Sequence, residues 1–483
     1  MKLSTVKKAV LFLVAAMITA MTLVACKTSG QETGSGSTGT HAPGTSVELE
    51  LPDKKYNGYE FRVFCRPQAN ADDVWSADLF ATSEDSTRVG SAVYKRVQWV
   101  STLLDCKLTY TLSSNSNMET DAMNVLFAGE DAHDLLMPHG RSIMTYADEG
   151  YLLDWEKDLT WCNLDKPWWD SGARKTFSIN NRLYVMNGDI SYMSIGYTFA
   201  MFFNKDVMDD LGMEYPYERV KNGTWTFDVF NTMVKQGAKD LNGDGNIEVG
   251  NDRFGYSTHE HGASFQVMYS TGSRLLVKDS DDIPYCPGVT QVTEKAYTDF
   301  YSLIDSQYAT MYFNKDGDKK VSVKNGESLF WDTYVKELSV MGDYDYEFGL
   351  VPWPNFNEGE DGYSCHVSCY VHEFGVPYTV TDADRTSAII EALAYGGYSS
   401  VIDEYYEQTL QIQKSRDDES KEMLKIIRDS RAYDLGFFHV SLEPLSSMGN
   451  LIATIPTHNL STFYNKYKAQ IDVKLAELIE KYE

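Results

Sequence analysis

From Tyr59 onward the chain alternates between strand-like and helix-like hydrophobic periods, which restricts the fold more than any other feature. Tyr59-Glu-Phe-Arg-Val-Phe-Cys65 reads as a strand. A helix follows, on which Val93, Val97, Val100 and Leu104 recur at helical spacing. Lys107–Leu112 reads as a second strand, Met118–Phe127 as a short helix, and Asp134-Leu-Leu-Met137 as a third strand. This order is the pattern of a parallel sheet with helices on its faces. Ligands bind at the loops leaving the carboxyl ends of such strands. Arg66 and His139-Gly-Arg141 fall on those loops.

A second α/β segment begins near Asp165-Lys-Pro-Trp-Trp-Asp170. Arg182–Met186 and Phe199–Asp206 are strand-like, and a helix over Val207–Leu211 is expected to stop at Gly212. Trp225-Thr226 leads into a helix over Val229–Ala238, and Tyr346–Pro354 reads as a strand ended by proline. Further helices are expected over Asp384–Tyr395, Lys421–Ile427 and Tyr464–Tyr482. There is no internal repeat.

The first 25 residues are read as a secretory signal and not as part of the fold. Lys2, Lys7 and Lys8 precede a 17-residue apolar run, Ala9–Ala25, broken by Thr19 and Thr22. The run ends in Leu23-Val24-Ala25-Cys26, the pattern of a bacterial lipobox, in which Cys26 carries the lipid. Residues 27–46 follow, of which 14 are Gly, Ser or Thr. Such a tether has a reach of about 25 Å. Cleavage before Cys26 removes three lysines and moves the formal net charge from −27 to −30. That acidity argues against nucleic acid and against an anionic membrane surface as main partners. The 13% aromatic content argues against a disordered acidic chain. Six cysteines remain beyond Cys26, and no particular pairing follows from their spacing.

The sharpest local motif is Asp240-Leu-Asn242-Gly-Asp244-Gly245-Asn246-Ile-Glu248. Side-chain oxygens at positions 1, 3 and 5, with Gly at 6, are the arrangement that wraps calcium. Position 12 is Asn251 where a bidentate Glu is expected, so Glu248 or Asp252 is the candidate for the missing carboxylate. One such loop suits a structural clamp. Zinc readings of Cys365, Cys369 and His372, or of His259 and His261, are weaker, because the first set lies on a strand-like run and the second lacks a third ligand. No Gly-x-Ser-x-Gly elbow, Gly-Lys dipeptide or His-Glu-x-x-His motif occurs, which excludes the standard forms of three enzyme classes.

In their order along the chain, these features resemble an extracellular solute-binding protein of an ABC transporter. The family is the large sugar-binding one that includes maltose-binding protein. The resemblance covers most of residues 50–483. It rests on the lipobox, Asp134-Leu-Leu with Glu149-Gly-Tyr-Leu-Leu-Asp154, Phe203-Asn204-Lys205-Asp206 with Gly212, and Trp225-Thr226 followed by the Asp-rich loop. Lys324-Asn-Gly326-Glu-Ser-Leu-Phe330 and Phe348-Gly-Leu-Val-Pro-Trp-Pro354 add to it.

The resemblance implies an α/β fold of the periplasmic-binding-protein-like type II. Two lobes would flank a ligand cleft, joined by a hinge that the chain crosses more than once. Residues 1–25 would be the signal peptide and 26–49 the lipidated cysteine and linker. Lobe one would comprise 50–160 plus 362–430, and lobe two 161–361 plus 431–483. The implied function is capture of a carbohydrate, expected to be an oligosaccharide, at the outer face of the cell membrane, with delivery to an ABC permease. The chain would act as a monomer, without catalysis. By position along the fold, Arg66, His139, Arg141, Asp189, Tyr192, His259, Glu260, Trp331 and Tyr334 would face the cleft, with aromatic rings stacking on sugar rings. Asp240, Asn242, Asp244, Asn246, Glu248 and Asp252 would serve the calcium ion. A surface-anchored hydrolase and a sensory lipoprotein are the rival readings.

Overall fold

A computed structural model describes residues 47–66, 87–113, 118–312, 323–359, 362–412, 418–454 and 459–483, together with residues 79, 81 and 84. The expectations for the signal peptide, Cys26 and the linker through Ser46 lie outside the described residues. Among the described residues, no helix is long and apolar enough to cross a membrane.

The first lobe follows the alternation seen in the sequence. Strand β1 (Tyr59–Cys65), helix α1 (Arg88–Leu104), β2 (Cys106–Leu112), α2 (Met118–Ala128), β3 (Leu135–Met137) and α3 (Gly140–Asp148) succeed one another. The sheet order is β2-β1-β3, with β1 parallel to both neighbours. Helix α1 starts where the Thr87 hydroxyl accepts the Gly90 N–H, and it stops at Asp105 in the left-handed region. Val89, Val93, Val100 and Leu104 are buried along one stripe, each worth about 1.5–3 kcal/mol of burial.

The second lobe is built on five strands in the order β8-β4-β7-β5-β6. These are β4 (Phe199–Asn204), β5 (Phe254–His259), β6 (Ala309–Tyr312), β7 (Ser328–Tyr334) and β8 (Phe348–Val351). β4 runs antiparallel to β7 and β8, whereas β5 is parallel to β6 and β7. The helix expected before Gly212 is present over Lys205–Leu211, and Gly212 ends it at φ 63°. Thr226 caps the helix Phe227–Gly237. Both faces of β7 are covered. Phe330 packs with Trp225 and Phe230, while Trp331 lies 15° from parallel to Phe202 and beside Phe348. A strand buried on both faces reads as a continuous apolar run, as Ser328-Leu-Phe-Trp does. Arg182–Met186, read as strand-like, contributes only single bridges at Arg182 and Met186.

Segments beyond β8 return to both lobes. β9 (Cys365–His366) is followed by α4 (Ala383–Gly396), α5 (Ile402–Ile412), α6 (Asp418–Asp429), β10 (Arg431–Ala432) and the closing helix α7 (Leu460–Glu480). α4 and α5 pack on α1 of the first lobe. α6 packs on β8 and on α5. Its Leu424 and Ile427 share a core with Phe202, Trp331, Phe348 and Leu350 of the second lobe. Ile402 and Tyr406 of α5 lie in that same core, so α5 and α6 both reach the second sheet. The Trp161 N–H and the Cys162 thiol donate to Ser387 of α4.

Trp168 and Trp169 carry no exposed ring. Their indole N–H groups donate to the two oxygens of Glu391 on α4 at 3.0 and 2.9 Å. Burial raises the Glu391 pKa to about 7, against the pull of these donors. A raised carboxyl pKa contributes stability that is fully present below pH 4.5 and is lost as pH rises through about 7. The size of that contribution is of order 3 kcal/mol. Urea titrations of the wild type and Glu391→Gln at pH 5 and pH 8 check this. The wild type is expected to lose more stability across that interval than the variant, and equal losses would contradict it.

Candidate functional site

The carboxyl ends of β1 and β3 in the first lobe meet the edge of the second sheet where β7 ends and β4 begins. Arg66 follows β1 directly, His139 follows β3 by two residues, and Tyr334 closes β7 opposite Phe199. Residues 367–372 pass between them. Val367 bridges Thr198, and His372 bridges His139. The turn between these bridges is held by Ser368, whose hydroxyl accepts the Tyr370 N–H, and by Cys369, whose carbonyl accepts the Gly140 N–H. A chain pinned on both sides turns its intervening residue outward, and Tyr370 is 49% exposed.

Tyr370 is the centre of a cluster of aromatic and polar groups. Its ring stacks on Tyr197 at 6.0 Å and meets the edge of His139 at 5.1 Å. Arg66 donates to the Tyr370 carbonyl at 2.9 Å and places its guanidinium 5.6 Å from the ring centre. Behind it Tyr197 contacts Tyr334 edge-on, and Lys336 Nζ lies 5.2 Å from the Tyr197 ring. Lys336 is paired with Glu337.

The histidine in this cluster is neutral. Burial, then Arg66, Arg141 and His372, bring the His139 pKa down to about 3. Its Nδ1 accepts the Arg141 backbone N–H at 3.1 Å, so the ring proton sits on Nε2. Burial also raises the Tyr334 hydroxyl above its ordinary value, so it stays protonated. The cluster thus offers neutral hydrogen-bonding groups, two cations and one exposed ring. These are the parts needed to bind a polar, ring-shaped molecule by its edges and faces.

Of the nine residues expected at the cleft, Arg66, His139 and Tyr334 are brought together here. His259 ends β5 on the same sheet edge, half-buried, and Glu260 opens the next helix. The other four are placed elsewhere. Trp331 is fully packed between Phe202 and Phe348, because β7 is covered on both faces. Arg141 turns away to the carbonyls of Phe437 and Ser446. Asp189 is buried on Arg428, and Tyr192 stacks on Tyr405 at 4.8 Å. Sequence reading missed Tyr370, Tyr197 and Lys336. The one signal for Tyr370 was a large aromatic in a short polar turn between two bridged segments, and the bridges are not visible in sequence.

The Asp-rich loop forms a tight wrap. The Asp240 carboxylate accepts the Gly243 and Gly245 N–H groups, Asn242 Oδ1 accepts Asp244 N–H, and Asp244 Oδ1 accepts Asn246 N–H. Gly243 and Gly245 hold φ of 80° and 96°, which the turn requires. Glu248 is exposed, and its N–H is accepted by Asp252. Asp252 also accepts the Leu241 and Asn242 N–H groups and is fully buried. These backbone donors, that of Glu248 foremost, hold its carboxyl below the usual range. Asp252 is thus a clamp on the loop backbone. Among the described residues, no group of three His, Cys, Asp or Glu side chains is arranged to hold a metal ion. The six described cysteines are unbridged.

No family model matches the sequence, and no curated protein matches it. Solved structures do share the fold. UspC of M. tuberculosis is 12% identical, with 86% of this chain and 100% of that chain covered at a TM-score of 0.56. A sugar transporter protein from Rhizobium etli in an open conformation is 13% identical, with 88% and 99% covered at 0.54. The galacto-N-biose-/lacto-N-biose I-binding protein of the ABC transporter from Bifidobacterium longum, solved with lacto-N-biose, is 12% identical, with 88% and 96% covered at 0.52. The fold is accordingly the two-lobed α/β architecture of the periplasmic-binding-protein-like type II.

Proposed function

We propose that this chain is an extracellular solute-binding protein that captures a carbohydrate in the cleft around Tyr370 and hands it to an ABC permease. The observation that carries the reading is the half-exposed Tyr370 ring at the junction of the two lobes, backed by Tyr197 and flanked by Arg66 and His139. An aromatic face beside fixed hydrogen-bonding groups suits a sugar ring, whose apolar face stacks while its hydroxyls bond at the edge. The structural relatives named above include sugar-binding receptors, which supports the same class. Capture without turnover follows, with the lipid on Cys26 and the 27–46 tether holding a monomeric body at the outer face of the membrane. An oligosaccharide is the expected size of ligand.

A calcium ion on the 240–248 loop belongs to the same proposal. Asp240, Asn242 and Asp244 would hold it, with the ion fixing a loop already wrapped by their side chains. Thermal melting of residues 27–483 with a panel of mono- and oligosaccharides tests both parts. Saturable stabilisation by one sugar class without cleaved product is the expected result. Product formation, or no stabilisation across the panel, would overturn the binding reading. A chelator is expected to lower the melting temperature and added calcium to restore it. No change would remove the ion.

A further inference from the structure

Two arginines of this acidic chain lie half-buried with no carboxylate bonded to them among the described residues. Arg141, in the first turn of α3, donates to the carbonyls of Phe437 and Ser446 at 3.1 and 2.7 Å. Arg274 donates to the Ser273 carbonyl at 2.8 Å and to the Ser364 hydroxyl at 3.2 Å. Asp434 is close enough for Arg274 to act on its charge, but its oxygens accept the Leu275 and Gly436 N–H groups, at 2.6 and 2.8 Å. With 70 Asp+Glu against 43 Lys+Arg, carboxylates are plentiful in this chain. Two half-buried guanidiniums resting on neutral acceptors therefore stand out, because their charge stays uncompensated.

The two guanidiniums cap opposite ends of one row of rings. Arg141 lies 4.6 Å from the Phe437 ring centre, and Phe437 lies 4.8 Å from His366. His366 lies 5.6 Å from Tyr269, and Arg274 lies 4.7 Å from the Tyr269 ring centre. His366 and Tyr269 are each 1% exposed, and neither His366 Nδ1 nor the Tyr269 hydroxyl has a hydrogen-bond partner among the described residues. Buried polar atoms are costly to leave unpaired, so two in one row call for a partner. Burial, then Arg141 and Arg274, bring the His366 pKa down to about 3, so the ring is neutral while both cations act on it. A neutral imidazole can carry its proton on Nδ1, and the tyrosine hydroxyl is a donor. Two cations and two donors suit the lone pairs of an oxyanion.

This row adjoins the cleft. The Gly140 N–H, one residue before Arg141, donates to the carbonyl of Cys369, the neighbour of Tyr370. Burial raises the Cys369 thiol, and Arg141 and Arg66 both pull against that rise, so the charges of both reach it. We infer that Arg141 and Arg274, with the Tyr269 hydroxyl and His366 Nδ1, bind an oxyanion carried by the carbohydrate, the carboxylate of a uronic acid unit or a sulfate ester. The inference rests on the carbohydrate reading of the Tyr370 cleft and narrows it. One unit of an oligosaccharide stacks on Tyr370, and another presents its acidic group to the guanidiniums. A neutral sugar leaves these charges and donors unpaired, which is the source of selectivity.

Calorimetric titration of the mature chain with a neutral oligosaccharide and with its uronate and sulfated counterparts tests this. One acidic form is expected to bind about tenfold more tightly than the neutral one, or better, and which form does so names the group. Arg274→Gln and Tyr269→Phe are each expected to bring the acidic-to-neutral affinity ratio towards one. Tyr269→Phe is expected to do so without lowering the melting temperature, because the hydroxyl it removes has no partner in the fold. Acidic forms no tighter than the neutral one, or a ratio unchanged in both variants, would overturn the inference and leave carbohydrate capture standing. Melting in sodium sulfate against sodium chloride at equal ionic strength separates a free anion from a sugar-borne one. Stabilisation by sulfate that Arg274→Gln abolishes, with no preference among sugars, would assign the site to an inorganic oxyanion and overturn the sugar-borne reading. Binding of no sugar at all would overturn the carbohydrate reading itself, and this inference with it.

Discussion

Replacing Trp225 with Ala is expected to cost about 3–5 kcal/mol of unfolding free energy. The indole is fully buried, 5.9 Å from the Phe330 ring and 6.1 Å from that of Phe230. Its N–H donates to the Pro352 carbonyl at 3.0 Å. Truncation therefore opens a cavity and also leaves a carbonyl without its donor, a further cost of about 1–3 kcal/mol where water cannot enter. A urea titration reads the change directly. A loss under about 1 kcal/mol would mean that the second-lobe core collapses onto the gap. Trp225→Phe should recover most of the packing and none of the hydrogen bond.

Tyr370→Ala should do the reverse, leaving stability nearly intact and removing affinity. Its ring is half exposed and rests on Tyr197, so little core packing depends on it. Under the proposed function the same ring supplies the stacking face for the sugar. Calorimetric titration with whichever sugar stabilises the wild type is expected to show at least tenfold weaker binding, about 1.4 kcal/mol. Tyr370→Phe should keep most of the affinity. Undiminished binding by Tyr370→Ala would move the ligand away from this ring.

Much of the first lobe was legible because its strands and helices carry their own periodicity. β1, α1, β2, α2 and β3 appear within a residue or two of the positions read from apolar spacing. The helix after β4 and its stop at Gly212 were legible for the same local reason. Arg66, His139 and Tyr334 come together around Tyr370 and Tyr197, the first two because they closely follow parallel strands. The packing of Trp331 was not legible because an aromatic on a strand shows the same letter whether its face meets a core or solvent. Arg141 and Asp189 misled because charged side chains near strand ends have several partners within reach, and the chain brought Phe437, Ser446 and Arg428 to them from about 240 to 300 residues away.

The partners of the later helices were not legible for a related reason. α6 is amphipathic like its neighbours α4 and α5, and amphipathicity says that a helix is covered without saying by what. Its packing on Phe202 and Phe348, and the pairing of Arg428 with Asp189, come from segments far away in the chain.

What the sequence determined by itself is the class of structure: an α/β body with parallel strands, an Asp-rich turn closed by glycines, and a large aromatic core. Each of these follows from short-range spacing, which survives in one dimension. What only the tertiary structure decided is which side chains share a site. Tyr370 is exposed because bridges to Thr198 and His139 hold its turn from opposite sides. Asp189 is buried because a helix from the far lobe ends beside it. Both outcomes depend on contacts between segments more than 150 residues apart, for which no local pattern in the chain carries a signal.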